Sequence, residues 1–143
     1  MSPASPIWAR ARCSVCPIRF GTATCCGALS NIRGSRYAAP AMAAISDWNF
    51  VVAPHVKLKG GPNIASASDN VVIDRGSVAA IDMSYTEAAA LYIGDASSQV
   101  YEYLRRPRPC IFVNLDRIDW RGRENYAHWN LGQVIESAAE LGP

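Results

Sequence analysis

Two serines and an aspartate stand where a short apolar segment hands over to a helical pattern, in "YIGDASSQVYEYLRR", residues Tyr92–Arg106. Asp95, Ser97 and Ser98 are residue types that serve two kinds of chemistry. Serine at a helix N-terminus caps free backbone amides. The same hydroxyls and amides, with the positive end of the helix dipole, also suit a phosphate group. Asp95 most simply orders the turn by accepting local amides. Glu102 lies one helical turn beyond Ser98, where its carboxylate can meet ribose hydroxyls or merely face solvent. His55, which follows the apolar run "NFVVAP", can donate to a phosphate oxygen, act as a general acid or serve structure alone. Residue type and spacing leave each of these alternatives open. His128, in "NYAHWN" beside Tyr126 and Trp129, reads as packing or as the opening of the last helix, not as a second catalytic group.

Other chemistries lack their residues. No GxGxxG, Walker, HExxH or GxSxG sequence occurs, which removes dehydrogenase, P-loop, zincin and hydrolase readings. Cys13-x-x-Cys16 followed by Cys25-Cys26 supplies four thiols, but an adjacent pair cannot easily bring both thiolates to one tetrahedral ion. These cysteines read as incidental thiols, and neither a metal nor a cofactor is expected.

Charge divides the chain. Residues 1–46 hold five arginines and no acid, whereas 47–143 hold nine basic residues against 12 acids, a net charge of −3. An acidic main segment argues against a reader of phosphate backbones, so no nucleic-acid partner is expected. At 143 residues there is room for one ordinary domain with a real core. No apolar run approaches the roughly 20 residues that span a bilayer. The acid-free segment 1–46 shows no regular period and is broken by Pro3, Pro6, Pro17 and Pro40. It is expected to be a poorly structured or misassigned extension, with a domain over 47–143.

Elements that would position the polar turns follow from the pattern of 47–143. Apolar runs at Asn49–Ala53, Val71–Ile73, Tyr92–Gly94 and Cys110–Val113 suit strands buried on both faces. Between them, Ser84-x-x-Glu87 has the form of a capping box. Val100, Tyr103 and Leu104 repeat at helical spacing, and Pro107 ends that helix. A last helix is expected from about Tyr126 to Leu141, capped by Asn125 and closed by Gly142-Pro143. Strands alternating with helices imply an α/β fold, a Rossmann-like parallel sheet with right-handed crossovers. In such a sheet ligands bind beyond the carboxyl ends of the strands. His55, Asp74 to Ser77, Asp95 to Ser98 and Asn114 to Asp116 all fall there.

The stretch "MSYTEAAALYIGDASSQVYEYLRRPRPCIFVN" resembles the donor-binding region of the CDP-glycerol glycerophosphotransferase family, a branch of the GT-B glycosyltransferases. The resemblance lies in Asp95 before Ser97-Ser98 at a helix start, Glu102 within that helix, then Pro109 and the apolar Cys110–Val113. His55 in "VVAPHVK" matches an upstream histidine of that family. Ala96 stands where the family has tyrosine, and Val56 where it has proline; both departures bear on which donor is bound. UDP-N-acetylglucosamine 2-epimerases look similar over the same stretch, with glycines in place of the serines.

The resemblance, over about residues 45–135, implies a GT-B type half-domain that binds a nucleotide-diphosphate donor, CDP-glycerol or a UDP-sugar. Ser97, Ser98 and Asp95 would form the diphosphate turn, Glu102 would hold the ribose, and His55 would be the catalytic candidate. Glycerol phosphate or a sugar would move onto a polymer or lipid-linked acceptor of the cell envelope, without a metal. A cytoplasmic location, peripheral to the inner face of the plasma membrane, would follow. The acceptor half expected of such an enzyme has no counterpart in residues 1–46. Alternatives are an epimerase-like protein and a non-catalytic α/β fragment.

Overall fold

A computed structural model describes residues 24–27 (backbone), 40–45, 48–53 and 68–141. Six strands form one sheet: β1 (Thr24–Gly27), β2 (Asn49–Val52), β3 (Val71–Ile73), β4 (Leu91–Gly94), β5 (Cys110–Val113) and β6 (Gln133–Ile135). Their order is β3-β2-β1-β4-β5-β6, and every neighbouring pair is parallel. This is the strand order of the doubly wound dinucleotide-binding sheet. The expected α/β architecture with a parallel sheet is therefore present.

Alternation along the strands sorts the core onto two faces. Leu91 and Ile93 of β4, with Ile111 and Val113 of β5, join Phe50, Val52 and Met42 on the first face. Tyr92, Cys110 and Phe112 join Val100, Tyr103, Trp120 and Trp129 on the second. The helices α1 (Val78–Ile81), α2 (Ser84–Ala88) and α3 (Gln99–Tyr103) connect β3 to β4 and β4 to β5. Ala89, just past α2, and Val100 and Tyr103 of α3 pack on the second face. A helical turn at 40–43, within the β1–β2 crossover, packs Met42 on the first face. Crossovers running in opposite directions thus lie on opposite faces, as a single crossover hand requires.

Three expectations are corrected here. The boundary near Asp47 moves toward the N-terminus, because Thr24–Gly27 pairs with both β2 and β4 at the centre of the sheet. Met42 is buried in the core, and Asn70 Nδ2 ties its turn to the domain by donating to the Met42, Ile45 and Trp48 carbonyls at 3.0–3.3 Å. Residues 1–23 lie outside the described residues.

The helix expected over Tyr126–Leu141 is instead a 3-10 helix (Glu124–Leu131), then β6, then a second 3-10 helix (Ala138–Leu141). Gly132 makes the break. Its backbone is extended and runs so close to β5 that a Cβ would sit 2.4 Å from the Cys110 carbonyl oxygen. Asn125 is a residue of the first 3-10 helix and not its cap, while Gly142 and Pro143 lie outside the described residues.

Nor does the Ser84–Glu87 capping box form. Met83 occupies the cap position with φ 67°, and the Ser84 hydroxyl donates to Asp82 Oδ1 at 2.6 Å. Glu87 is drawn instead toward Arg105 and Arg106, at 3.6 and 3.7 Å. Such exposed pairs contribute at most about 1 kcal/mol.

The short helices close on Arg108. One of its two terminal guanidinium nitrogens donates to the Glu87 and Ala89 carbonyls at 2.9 and 2.8 Å and to Thr86 at 3.3 Å; the other terminal nitrogen donates to Tyr103 at 2.6 Å. Its Nε is buried without a hydrogen-bond partner among the described residues. The guanidinium also lies 4.0 Å above the centre of the Tyr103 ring. Tyr103 in turn donates its hydroxyl to Ala90 and Pro109, joining the starts of β4 and β5. Because hydrogen bonds to charged groups are each worth about 1.5–3 kcal/mol, Arg108→Ala should destabilise the domain by about 3 kcal/mol or more. Arg108→Lys should recover less than half, since an ammonium cannot span the same fork. Urea unfolding checks this; an Arg108→Ala loss under about 1 kcal/mol would remove Arg108 from this role.

Candidate functional site

The parallel register brings the strand ends level. Gly27 pairs with Val52, Val52 with Ile73, Gly94 with Phe112, and Val113 with Ile135. The described turns that follow β3, β4 and β5 therefore lie at one end of the sheet. At that end, β1 and β4 are neighbours whose connections depart toward opposite sides. That is the topological switch point, where doubly wound sheets open a crevice. The turn after β4, Asp95 to Ser98, stands at it.

Local chemistry shapes this turn. Gly94 is required by its neighbour: a Cβ there would fall 2.4 Å from the Tyr92 ring, which folds beneath the end of its own strand. The Ser97 hydroxyl accepts the Gln99 amide at 3.3 Å, while Ser98 stands at the N-cap position with no side-chain cap bond. Ser98 is exposed and Ser97 half-buried. Of the two serines, then, Ser97 orders the helix start and Ser98 has no capping duty.

Beneath the turn, His128 Nε2 and Trp129 Nε1 both reach the Asp95 carbonyl oxygen, at 3.0 and 3.1 Å. Both rings are buried, at 5 % and 2 % exposure. His128 meets Phe112 edge-on at 5.3 Å, and Trp129 is flanked by Tyr126 at 4.8 Å and Trp120 at 5.7 Å. The packing role expected of His128 is present, together with a bond to the turn that the sequence did not announce. The run "NYAHWN" contains the signal only in retrospect: two buried N–H-bearing rings in succession each need an acceptor.

Glu102 is carried on α3 but faces solvent, with its carboxylate 3.9 Å from Arg105. His55 lies outside the described residues, so its position relative to the turn is not defined. On the neighbouring strand, Asn114 is buried and holds its own loop: its Nδ2 donates to Ile118 O at 3.0 Å and its Oδ1 accepts the Ile118 amide at 2.8 Å. Both polar atoms of the Asn114 side chain thus brace the loop that follows β5.

Asp74 follows β3, three strand spacings from β4, or about 14 Å along the sheet. It does not join the Asp95 turn. Its carboxylate is occupied by the Gly76 and Ser77 amides at 3.0 and 2.8 Å, the Ser77 hydroxyl, and the Tyr85 hydroxyl at 2.7 Å. Partial burial pushes its pKa up, but the Ser77, Tyr85 and Gly76 hydrogen bonds outweigh that and hold it at about 2. Ser77 caps α1 by accepting the Ala80 amide.

Elsewhere, an apolar cleft between Trp48, Phe50, Leu91, Ile93 and Leu141 lies within the first face of the sheet. Among the described residues, no titratable or nucleophilic side chain lines it. The thiol of Cys110 is buried, donates to Leu131 O at 3.4 Å and is pushed up to about 11 by burial, which makes it a poor nucleophile. Among the described residues no group of three or more His, Cys, Asp and Glu side chains is placed to hold a metal ion.

Comparison with family models, with curated proteins and with solved structures finds no match to this chain.

The Asp74 network predicts an acid dependence. Because the folded-state pKa lies below the ordinary value of 3.8, its contribution is complete above that value and is lost as pH falls toward 2. Asp74→Asn should therefore lower stability at neutral pH and flatten the loss between pH 3.8 and 2. Urea midpoints measured across that window check it; parallel curves for parent and variant would assign the acid loss to other groups.

Proposed function

We propose that this chain is the nucleotide-diphosphate donor-binding part of a GT-B type transferase of the CDP-glycerol glycerophosphotransferase kind. One observation carries the reading: the strand order sets the Asp95–Ser98 turn at the switch point of a doubly wound parallel sheet. A second supports it, since the Ser98 hydroxyl is exposed at a helix start without a capping bond. In this proposal Ser97, Ser98 and the amides of the turn hold the donor's diphosphate. Asp95 shapes the turn through its carbonyl, and Glu102 exchanges its exposed pairing with Arg105 for ribose hydroxyls. His55 supplies a further phosphate donor.

Transfer from such a donor places new negative charge on the leaving group, which is CMP from CDP-glycerol or a nucleoside diphosphate from a nucleotide sugar. Donors fixed in advance around that charge lower the barrier without having to reorganise during reaction. The acceptor is a hydroxyl of a cell-envelope polymer or a lipid-linked precursor, presented at the inner face of the plasma membrane. No helix among the described residues is long and apolar enough to cross a membrane.

Titration calorimetry with CDP-glycerol, CMP, UDP-N-acetylglucosamine and inorganic pyrophosphate tests this. Preference for the cytidine ligands supports the transferase, preference for the uridine ligand an epimerase-like protein, and absence of binding to all four overturns the donor-site reading. In the double variant Ser97→Ala, Ser98→Ala, affinity for CDP-glycerol should fall about ten- to a hundredfold, as expected for hydrogen bonds to a charged group. Stability should fall by only about 0.5–1 kcal/mol, the cost of a modest cap. Glu102→Gln should weaken CDP-glycerol while sparing pyrophosphate. Unchanged CDP-glycerol affinity in the double-serine variant would leave the serines as a cap alone.

A further inference from the structure

The buried pair beneath the turn does more than fill space. A carbonyl oxygen only accepts, so His128 Nε2 carries its proton, and Trp129 Nε1 is always a donor. Two N–H groups from adjacent residues of the first 3-10 helix therefore converge on one oxygen, at 3.0 and 3.1 Å. The described peptide bonds are all trans, and in a trans peptide the C=O and the following N–H point in opposite directions. Drawing the Asp95 carbonyl toward His128 and Trp129 turns the N–H of Ala96, an exposed residue, away from them. The orientation of the peptide ahead of Ser97 and Ser98 is thus set by a segment some thirty residues later in the chain.

The anchor is itself rigid. Trp129 stacks on Phe112 at 6.2 Å, and Trp120 and Tyr126 flank it, so its Nε1 has little freedom. His128 is held between Phe112 and Tyr101 of α3, at 5.3 and 6.0 Å. The alternative route to orienting the turn, a side-chain cap from Ser98, is not used. Two buried donors on one acceptor also leave a strong penalty for rotating that peptide, since both N–H groups would be stranded.

We infer that His128 and Trp129 are positioning residues for the Asp95–Ser98 turn, holding its amides and hydroxyls in the orientation that a donor's diphosphate requires. The diphosphate part of this inference rests on the proposed donor site; the positioning part does not. Neither ring touches the ligand in this arrangement, so both act through the Asp95 carbonyl.

The test uses the full chain with Trp129→Phe, which keeps an aromatic ring but has no N–H, and with His128→Phe and His128→Gln. The glutamine amide can reach the same carbonyl; the phenyl ring cannot. Amide hydrogen exchange is read at Gln99, Val100 and Tyr101, each hydrogen-bonded back to Ser97 or Ser98. The Ile111–Val113 amides of β5 serve as an internal standard for global opening. Trp129→Phe and His128→Phe should each speed exchange at the turn about tenfold relative to β5, the consequence of one lost hydrogen bond. His128→Gln should return the ratio toward that of the parent. Affinity for CDP-glycerol should fall in step with the loosening, with His128→Gln again the milder change.

Parent-like exchange ratios in both phenylalanine variants would overturn the inference, as would a loosened turn that binds CDP-glycerol as tightly as the parent. If the parent binds none of the four ligands, the donor site fails, while the exchange ratios still decide whether these residues position the turn. A variant that unfolds outright would show it in the β5 amides. The ratio from His128→Gln then decides, and failure of that conservative change to protect the turn better than His128→Phe counts against the inference.

Discussion

The structure depends on how very short helices end. An α-helix leaves its last four carbonyls without internal partners, and α2 and α3 have only five residues each. Nearly every carbonyl in them is therefore terminal. Arg108 resolves this from between the two, giving hydrogen bonds to carbonyls of both helix ends and a cationic face to Tyr103. With that guanidinium in place, α2 and α3 can stop after little more than one turn with carbonyls of both ends hydrogen-bonded. The strand starts then follow, because Tyr103 bonds Ala90 and Pro109 at the beginnings of β4 and β5. The carboxyl end of β4, and the turn it delivers, inherit their placement from this support.

Strands of continuous apolar residues are the most legible elements of the chain, although β3, expected to be buried on both faces, exposes Val72. Four apolar runs were readable because a covered parallel strand needs no alternation, only continuous β-branched or aromatic residues between polar turns. β2, β3, β4 and β5 follow those runs within a residue or so. β1 was not readable, for it lies in an acid-free, cysteine-rich stretch whose "TCCG" carries no such composition. Its place comes from pairing on both sides, which is nonlocal information. β6 was hidden for a different reason: "LGQVIESAAEL" has apolar residues at spacings that suit a helix. What decides it is the close passage of Gly132 against Cys110, a constraint supplied by the neighbouring strand. The failed capping box teaches the same lesson locally, since Asp82 captures the Ser84 hydroxyl before it can cap.

For the candidate site, the strand–turn–helix around Ser97 and Ser98 was legible and the resemblance singled it out, but its place in the sheet was not legible. Any of four polar turns qualifies when only the sequence is known, because each follows a strand. Strand order separates them: Asp74 is removed to the edge strand and consumed by its own hydrogen bonds, while Asp95 stands beside β1. Asn114, equally polar in the sequence, is spent on Ile118. His128 and Trp129 could be recognised as buried rings but not as partners of Asp95, because their shared acceptor lies 33 and 34 residues away.

The brevity of α3 also bears on the diphosphate site proposed for the turn. Long helices lend an N-terminus about half a charge, but a five-residue helix sums few peptide dipoles. Stabilisation of a phosphate here cannot lean on the macrodipole and must come from individual N–H and O–H groups at hydrogen-bonding distance. Such bonds fall off steeply with angle, so their value rests on orientation more than on charge. A site of that type needs its backbone fixed from behind, and the Asp95 carbonyl is fixed in that way by two buried donors. A short helix on a firmly held turn can thus serve where a long helix on a loose one would otherwise be needed. It also leaves Ser98, which has no capping bond to break, as the hydroxyl that can turn toward a ligand at least structural cost.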